Sequence, residues 1–246
     1  MNDFMEVHWG HQMWERAARE VADATDPQLL SDIREIIFSM KMITVPLACC
    51  LSTQGDVLSQ WRAYAGDGTG YSIGFRASDL VRLPVQPLRV SYDVEQQLNE
   101  LKDLIQRIHA VESDEAEKRS DGFKQVCFGL AWDLAAFKNP AFSEEKEVRL
   151  LHVIGYEQSN NSLKLVDAGG NSFGKKLSPM PVRFRMRGSR PVPYLDFDFS
   201  DEGQESPIVE VRLGPKNDAD PLSISIFLES LGLANVEVTR SDASYR

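Results

Sequence analysis

The segment KNPAFSEEKEVRLL, residues 138 to 151, places three glutamates close to an arginine. In a strand, Glu147 and Arg149 share one face while apolar residues occupy the other, so two charges stand within an apolar strand. A carboxylate that faces a cleft can stabilise developing positive charge or activate a hydroxyl group. Glu147 and its neighbour Glu145 are therefore candidate catalytic residues.

The same charges also have a structural interpretation that involves no catalysis. Arg149 would neutralise Glu147, and Arg62 would neutralise Glu145, so that every charge is satisfied. Such pairs are more often structural than catalytic, and the sequence leaves both interpretations open. Convergence of Arg62, Glu147 and the arginines of residues 183 to 190 on a concave pocket would favour a ligand site, whereas burial of Glu147 in a salt bridge would weaken the enzyme hypothesis.

A second candidate lies in DVLSQWRAYAGDGTGYSIGF, residues 56 to 75. Its first half has apolar residues at helical spacing, Gly66 suits the position after a helix end, and Tyr71 to Phe75 has strand character. Gly70 and Gly74 remove side chains where another group approaches the backbone closely. The segment is either one wall of a binding cleft or a helix, a turn and a strand that only pack together. In the cleft interpretation the wall is formed by LSQWRAY, residues 58 to 64, which contains Ser59, Trp61, Arg62 and Tyr64.

A third candidate is the predicted hairpin VRFRMRGSRPVPYLDFDF, residues 182 to 199. Alternation places three arginines on one face of its first strand and two aspartates on one face of its second: Arg183, Arg185, Arg187, Asp196 and Asp198. Cross-strand pairing would neutralise these charges, which is the favoured interpretation. With Arg190 the hairpin has four arginines for two aspartates, so one or two remain for a phosphate group. Arg185 and Arg149 are the candidate ligand-binding arginines.

The segment VEVRLGPKNDADPLSISIFL, residues 209 to 228, has the order strand, glycine turn, helix. A helix N-terminus can bind a phosphate through backbone N–H groups that have no partner within the helix. Here Pro215 removes a donor, and Asp218 and Asp220 would repel an anion. A plain strand-to-helix connection is therefore favoured.

The composition restricts the possible partners. With 27 basic and 37 acidic residues the net charge is −10, so a nucleotide or nucleic acid would need a local arginine patch. No apolar run reaches about 18 residues and no signal-peptide pattern is present, which predicts a cytoplasmic protein without membrane contact. Cys49 and Cys50 lie in the apolar run ITVPLACCL and are predicted to be buried free thiols. His8 and His11 lack accompanying ligands, so no metal site is predicted.

The elements that must position these residues follow from periodicity and capping. Two N-terminal helices are predicted, the second beginning at Asp26-Pro27, and residues 43 to 51 form a strand buried on both faces. Asp56 or Thr53 is the expected N-cap of the next helix. Two further helices occupy residues 93 to 136, and strands dominate the second half of the chain. The sequence predicts one α+β domain over residues 1 to 246: N-terminal helices, then a mixed, largely antiparallel sheet with packed helices and a strand-rich C-terminal half.

With these motifs identified, the chain resembles the bacterial domain-of-unknown-function family 2971 over most of residues 43 to 246. The resemblance rests on CLSTQGDVLSQWRAYAGDGTGYSIGF, KNPAFSEEKEVRLL, PVRFRMRGSRPVPYLDF, VRLGPKNDADPLSISIFLESLG and SDASYR. The chain departs from the family at Val148, where a tryptophan is usual. Family members begin further upstream with a strand and a helix bearing a His-Tyr-Thr pattern. NDFME, residues 2 to 6, looks like the turn that follows them, so the resemblance implies that this N-terminal strand and helix are missing here.

The family pattern is in turn similar to ADP-ribosyltransferase-type toxins. In that fold a histidine orients the ribose of NAD, aromatic residues stack on nicotinamide, and a glutamate stabilises the oxocarbenium-like transition state. The similarity implies Glu147 or Glu145 as that glutamate and NAD as a substrate, with no other cofactor; the histidine has no match here. Two functions result: a toxin or phage-defence effector acting on NAD, or a non-enzymatic nucleotide-, nucleic-acid- or protein-binding module in a defence system.

Overall fold

The computed structural model describes residues 4–81, 83, 85–172, 175–197 and 206–245. Its α-helices are α1 (Phe4–Glu20), α2 (Pro27–Ile43), α3 (Leu58–Tyr64), α4 (Ala77–Leu80), α5 (Val94–Asp114), α6 (Asp121–Asp133) and α7 (Pro221–Ser230). Short 3-10 helices occupy Ala22–Ala24, Leu134–Ala136 and Pro140–Glu145. Among the described residues, no helix has the length and apolar character needed to cross a membrane.

The strands concentrate in the second half of the chain, as predicted. They are β1 (Thr44–Ser52), β2 (Tyr71–Phe75), β3 (Gln86–Arg89), β4 (Glu147–Gln158), β5 (Leu163–Val166), β6 (Gly170–Ser172), β7 (Lys175–Leu177), β8 (Arg183–Arg187), β9 (Arg190–Tyr194), β10 (Ile208–Leu213) and β11 (Glu237–Arg240). The strand pairings are both parallel and antiparallel. The predicted α+β class is confirmed.

The chain forms two compact units, and the division between them falls within β1, β3 and β4. The first unit comprises Met1–Cys49, Leu88–Ser143 and Arg149–Ala168. The second unit comprises Cys50–Pro87, Glu144–Val148 and Gly169–Arg246. The single domain expected from the sequence stays a prediction.

The first unit is built on a helical core. α2 begins where the sequence predicts, because the Asp26 side chain accepts a hydrogen bond from the backbone N–H of Gln28 (2.9 Å) and Pro27 occupies the first turn. Apolar side chains of α1, α2, α5 and α6 pack into one cluster that includes Trp14 and Ile105. The core therefore comes from the helical periodicity that is visible in the sequence.

The sheet of the first unit has the strand order β1-β4-β3, with β5 antiparallel to β4. β1 thus lies at the end of this order, and its residues are half-buried or exposed. The prediction that this strand is buried on both faces is therefore wrong. Cys49 and Cys50 are exposed, so the prediction that these two thiols are buried is wrong as well. An apolar run of this length is typical of a central strand, but it also suits a strand at the end of a sheet.

The second unit contains a three-stranded sheet with the order β11-β10-β2. β10 runs antiparallel to β2, with Val211 opposite Ile73, and parallel to β11, with Val211 opposite Val238. α7 connects β10 to β11 and begins at Asp220, whose side chain accepts from the backbone N–H of Ser223 (3.1 Å). The predicted order of strand, glycine turn and helix in this segment is confirmed.

Candidate ligand-binding site

A cavity of about 390 Å³ lies wholly within the second unit. Three elements form its walls: the end of β1 with the following loop, the helix α3, and the strand β2. Its lining residues are Cys50, Leu51, Ser52, Thr53, Gln54, Gly55, Val57, Gln60, Trp61, Tyr64, Ala65, Tyr71, Ser72, Ile73, Gly74, Phe75, Leu80 and Glu210. Both halves of the segment from residue 56 to 75 therefore line one concave surface.

Hydrogen bonds to the residues just before β4 fix the first wall. The Ser52 hydroxyl donates to the backbone carbonyl of Glu145 (2.7 Å), and Gln60 Nε2 donates to the same oxygen (3.0 Å). The backbone N–H of Thr53 donates to the carbonyl of Lys146 (3.0 Å). The loop after β1 and the helix α3 are thereby tied to one backbone segment.

Asp56 holds α3 in a way that the sequence did not suggest. The N-cap of α3 is Val57, and no side chain caps the helix, so the predicted capping role is wrong. Asp56 Oδ1 instead accepts from Trp61 Nε1 (2.6 Å) and from the Ser241 hydroxyl (2.5 Å), while Oδ2 accepts from the backbone N–H of Asp242 (2.8 Å). Asp56 thus links the cavity wall to the segment after β11.

Burial alone would raise the pKa of Asp56. The hydrogen bonds from Ser241, Trp61 and the backbone of Asp242, with the charge of Arg212, outweigh burial and lower this pKa below its ordinary value. Asp56 is therefore a charged acceptor under neutral conditions.

The glycine-rich turn after α3 packs against the loop between β10 and α7. The predicted role of Gly66 after the helix end is confirmed by its φ of +58°. The backbone N–H of Gly214 donates to Gly70 O (3.0 Å), and a Cβ at position 214 would lie 2.3 Å from Gly68 O. Asn217 Nδ2 donates to Thr69 O (2.7 Å). These glycines permit two backbone segments to approach each other, as the sequence predicted for Gly70.

The loop between β10 and α7 is a plain connection, in agreement with the favoured interpretation. The backbone N–H of Lys216 donates to Gly68 O (2.9 Å), and the N–H of Asn217 donates to Gly214 O (3.0 Å). The Lys216 ammonium group donates to Asp67 Oδ2 (2.8 Å). The backbone N–H groups of Lys216 and Asn217 and the Lys216 ammonium group are thus engaged within the protein.

A charged network borders the cavity at β10. Glu210 lines the cavity, and its Oε1 accepts from Arg212 Nη2 (2.7 Å), Arg212 Nε (3.0 Å) and the Thr239 hydroxyl (2.7 Å). Arg212 Nη1 also lies 3.6 Å from Asp56 Oδ2. The Arg212 guanidinium group therefore forms ion pairs with both the Glu210 and the Asp56 carboxylates.

The predicted helix residues divide between the cavity and its surroundings. Trp61 and Tyr64 line the cavity, whereas Ser59 and Arg62 do not. The Ser59 hydroxyl is buried and has no hydrogen-bond partner among the described residues. The Arg62 guanidinium carbon lies 5.6 Å from the centre of the Tyr245 ring, a cation–π contact with the C-terminal segment.

The two candidate catalytic glutamates differ in their surroundings. The Tyr64 hydroxyl donates to Glu145 Oε1 (3.2 Å), which brings this carboxylate to a residue of the cavity wall. Glu147 is only 5% exposed and is not among the lining residues. Catalytic roles for both glutamates stay predictions.

The candidate arginines are not part of this cavity. Arg149 belongs to the first unit, where it is 1% exposed and its Nη1 donates to the carbonyl of Ala135. In the hairpin β8–β9, Arg183 Nη1 pairs with Asp196 Oδ2 (2.7 Å), which confirms cross-strand neutralisation for this arginine. Arg185 lies 5.9 Å from the centre of the Tyr194 ring. Asp198 lies outside the described residues.

Sequence reasoning missed several lining residues. Tyr71 and Ile73 alternate with smaller residues along β2, a period-2 pattern that could have identified them as one face. Glu210 interrupts an apolar strand in the same way that Glu147 does, and that signal was available. Gln54 lies in a loop and gave no signal.

Comparisons with known proteins cover part of this site. Residues 60–150 match the model of a family described as "Protein of unknown function (DUF2971)". No curated protein and no solved structure matches the chain. The matched segment includes α3 from Gln60 onward, β2 and the beginning of β4, so it contains most of the candidate residues named from the sequence. The predicted resemblance to domain-of-unknown-function family 2971 is therefore confirmed over residues 60–150.

Proposed function

We propose that the second unit is a binding module whose cavity holds a small ligand with a planar ring, of the nucleoside type. The observation that carries this proposal is the composition of the cavity lining, in which the aromatic residues Trp61, Tyr64 and Tyr71 accompany the amide residues Gln54 and Gln60. Aromatic rings contact the faces of a planar ligand, and amides bond its polar edges. The cavity volume lies within the usual range for small-molecule sites.

Binding without turnover is supported by the position of Glu147. A group that stabilises a transition state must reach the reacting atoms, but Glu147 is buried and does not line this cavity. This supports the non-enzymatic module over a transferase that uses Glu147. A cytoplasmic location and a role in phage defence stay predictions from the sequence.

Titration calorimetry with adenosine, cytidine, nicotinamide and NAD tests the binding function. We expect the wild type to bind at least one of these ligands, and Tyr71→Ala to weaken that binding at least tenfold. Tyr156→Ala is the matched control, because Tyr156 is a strand tyrosine of similar exposure (43% against 45%) in the first unit. Absence of binding by all four ligands, or equal losses in both variants, would contradict the proposal.

A second candidate function is transfer of ADP-ribose from NAD with Glu145 as the carboxylate. It is favoured by the 3.2 Å hydrogen bond between Glu145 and the cavity residue Tyr64. In this reaction the bond between nicotinamide and ribose C1′ breaks, nicotinamide leaves with the bonding electrons, and an acceptor oxygen bonds to C1′ and loses its proton.

Release of nicotinamide from NAD distinguishes the two functions. Turnover that Glu145→Gln abolishes and Glu147→Gln preserves would establish the transferase with Glu145. Turnover that is lost in Glu147→Gln and kept in Glu145→Gln would instead identify Glu147 as the catalytic carboxylate. Binding of NAD or nucleosides without nicotinamide release would leave the binding module as the function.

A further inference from the structure

We infer that Glu210 makes the cavity selective for unphosphorylated ligands that present an exocyclic amine, such as adenosine and cytidine. This inference rests on the proposed binding function and specifies its ligand class. Glu210 supplies the carboxylate on the cavity wall, and its role follows from three observations on the second unit.

The first observation is that one oxygen of Glu210 has spare acceptor capacity. The hydrogen bonds that described residues donate to Glu210 go to Oε1, which accepts from Arg212 and Thr239. Carboxylate oxygens accept two hydrogen bonds each. Oε2 is therefore available to a ligand donor.

The second observation is that Gly74 leaves the carboxylate uncovered on the β2 side. Gly74 lies opposite Glu210 in the antiparallel register, and both residues line the cavity. A Cβ at position 74 would lie 3.5 Å from Glu210 Oε2 and 3.0 Å from Glu210 Cβ. A side chain at this position would occupy the space through which a ligand reaches the carboxylate.

The third observation is the charge of the cavity. The hydrogen bond from Thr239 and the contacts with Arg212 outweigh burial and lower the pKa of Glu210, so this carboxylate is ionised at neutral pH. Arg212 is shared with Asp56, which leaves one negative charge in excess within the group. None of the described residues that line the cavity is a lysine or an arginine. A phosphate in the cavity would face the Glu210 carboxylate, whose cation Arg212 is shared with Asp56, whereas an amine would find an ionised acceptor.

The test compares ligands that differ in one group. Adenosine and inosine differ at the exocyclic amine, and adenosine and AMP differ by the phosphate. For the wild type, calorimetry should give at least tenfold tighter binding of adenosine than of inosine or AMP. Glu210→Gln should reduce the preference for adenosine over inosine and the preference for adenosine over AMP to less than threefold. Inosine binding should be retained, because the amide preserves the shape of the side chain and removes its charge.

Two further variants keep the test independent of folding defects. Glu237→Gln is the matched control, because Glu237 is an exposed glutamate opposite Glu210 in the register of β10 and β11. It should leave both preferences unchanged. Gly74→Ala should weaken adenosine binding more than inosine binding, without any change to the carboxylate.

The outcomes separate this inference from the function on which it rests. If the wild type binds adenosine and inosine with equal affinity, Glu210 does not select the ligand. The same conclusion follows if folded Glu210→Gln keeps the full preference for adenosine over inosine. Either result overturns this inference and leaves the binding module intact. Binding of none of these ligands overturns the binding module, and the inference with it. An adenosine preference that is lost in Glu210→Gln and kept in Glu237→Gln supports both.

Discussion

In the first unit, apolar side chains of four helices bury one another, and Trp14, Ile33 and Ile105 are at most 1% exposed. In the second unit, hydrogen bonds and ion pairs to Asp56, Asp67 and Glu210 join distant parts of the chain. The first arrangement depends on volume and apolar area, and the second depends on charge and geometry. The contrast indicates that apolar packing stabilises the helical unit, whereas polar contacts join separate segments of the strand-rich unit.

Removal of apolar volume from the first unit should have the largest effect. Ile105→Ala, at a fully buried position, should lower the free energy of unfolding by about 3 kcal/mol, because transfer free energy is lost and a cavity remains. Urea unfolding measures this change. Ile226→Ala is the matched control, since Ile226 in α7 is 62% exposed and should change the free energy by less than about 0.5 kcal/mol. If the free energy of unfolding falls by similar amounts in both variants, apolar burial does not distinguish the first unit from the second.

Addition of one methyl group to the second unit should have the next largest effect. Gly214→Ala would bring Cβ to 2.3 Å from Gly68 O and force two backbone segments apart, at about 2 kcal/mol or more. Gly129→Ala in α6 adds the same group where nothing lies within 4 Å. It should stabilise the protein by about 0.5–1 kcal/mol through helix propensity. Thermal melting that moves in the same direction for both variants would contradict the close approach at Gly214.

Loss of the Asp56 carboxylate should have an effect of similar or smaller size. Asp56→Ala removes the acceptor of Trp61, Ser241 and Asp242, and we expect a loss of about 2 kcal/mol together with weaker ligand binding. Thermal melting and calorimetry measure the two changes. Asp114→Ala, at an exposed position of α5, is the control and should leave both unchanged. Full ligand affinity in Asp56→Ala would show that this link does not hold the cavity wall.

Acidification should reveal the smallest difference between the units. The folded-state pKa values of Asp56, Asp67 and Glu210 are lowered, so their stabilisation is complete above the unfolded values of about 4 and is lost as the pH falls through the folded values. In hydrogen exchange at pH 4 and pH 3, the amide of Gly214 should lose protection before that of Ile105. In the first unit, the pKa values of Asp32 and Glu112 beside Arg119 are also lowered, so their stabilisation is likewise lost on acidification. The apolar core of the first unit does not titrate. Simultaneous loss at both amides would contradict this order.

Local patterns in the sequence predicted most elements and only part of the site. Asp26-Pro27 and Asp220-Pro221 identified helix starts because capping involves residues two or three positions apart. The role of Asp56 could not be predicted in this way, since its partner Ser241 lies 185 positions further along the chain. The same holds for the approach of Gly214 to Gly70. Trp61 and Tyr64 lie among the lining residues of the cavity, and ligand binding by these two residues stays a prediction.

The hydrogen bonds from Ser241 and Asp242 to Asp56 also have a consequence for biosynthesis. α3 leaves the ribosome long before β10, β11 and the segment that contacts Asp56 have been translated. The helices α1, α2, α5 and α6, which share one apolar cluster, are all translated before β10 and can pack during this time. The cavity wall obtains its last hydrogen bonds only when residues 241 and 242 emerge. A nascent chain that stops before them should therefore not yet hold a ligand.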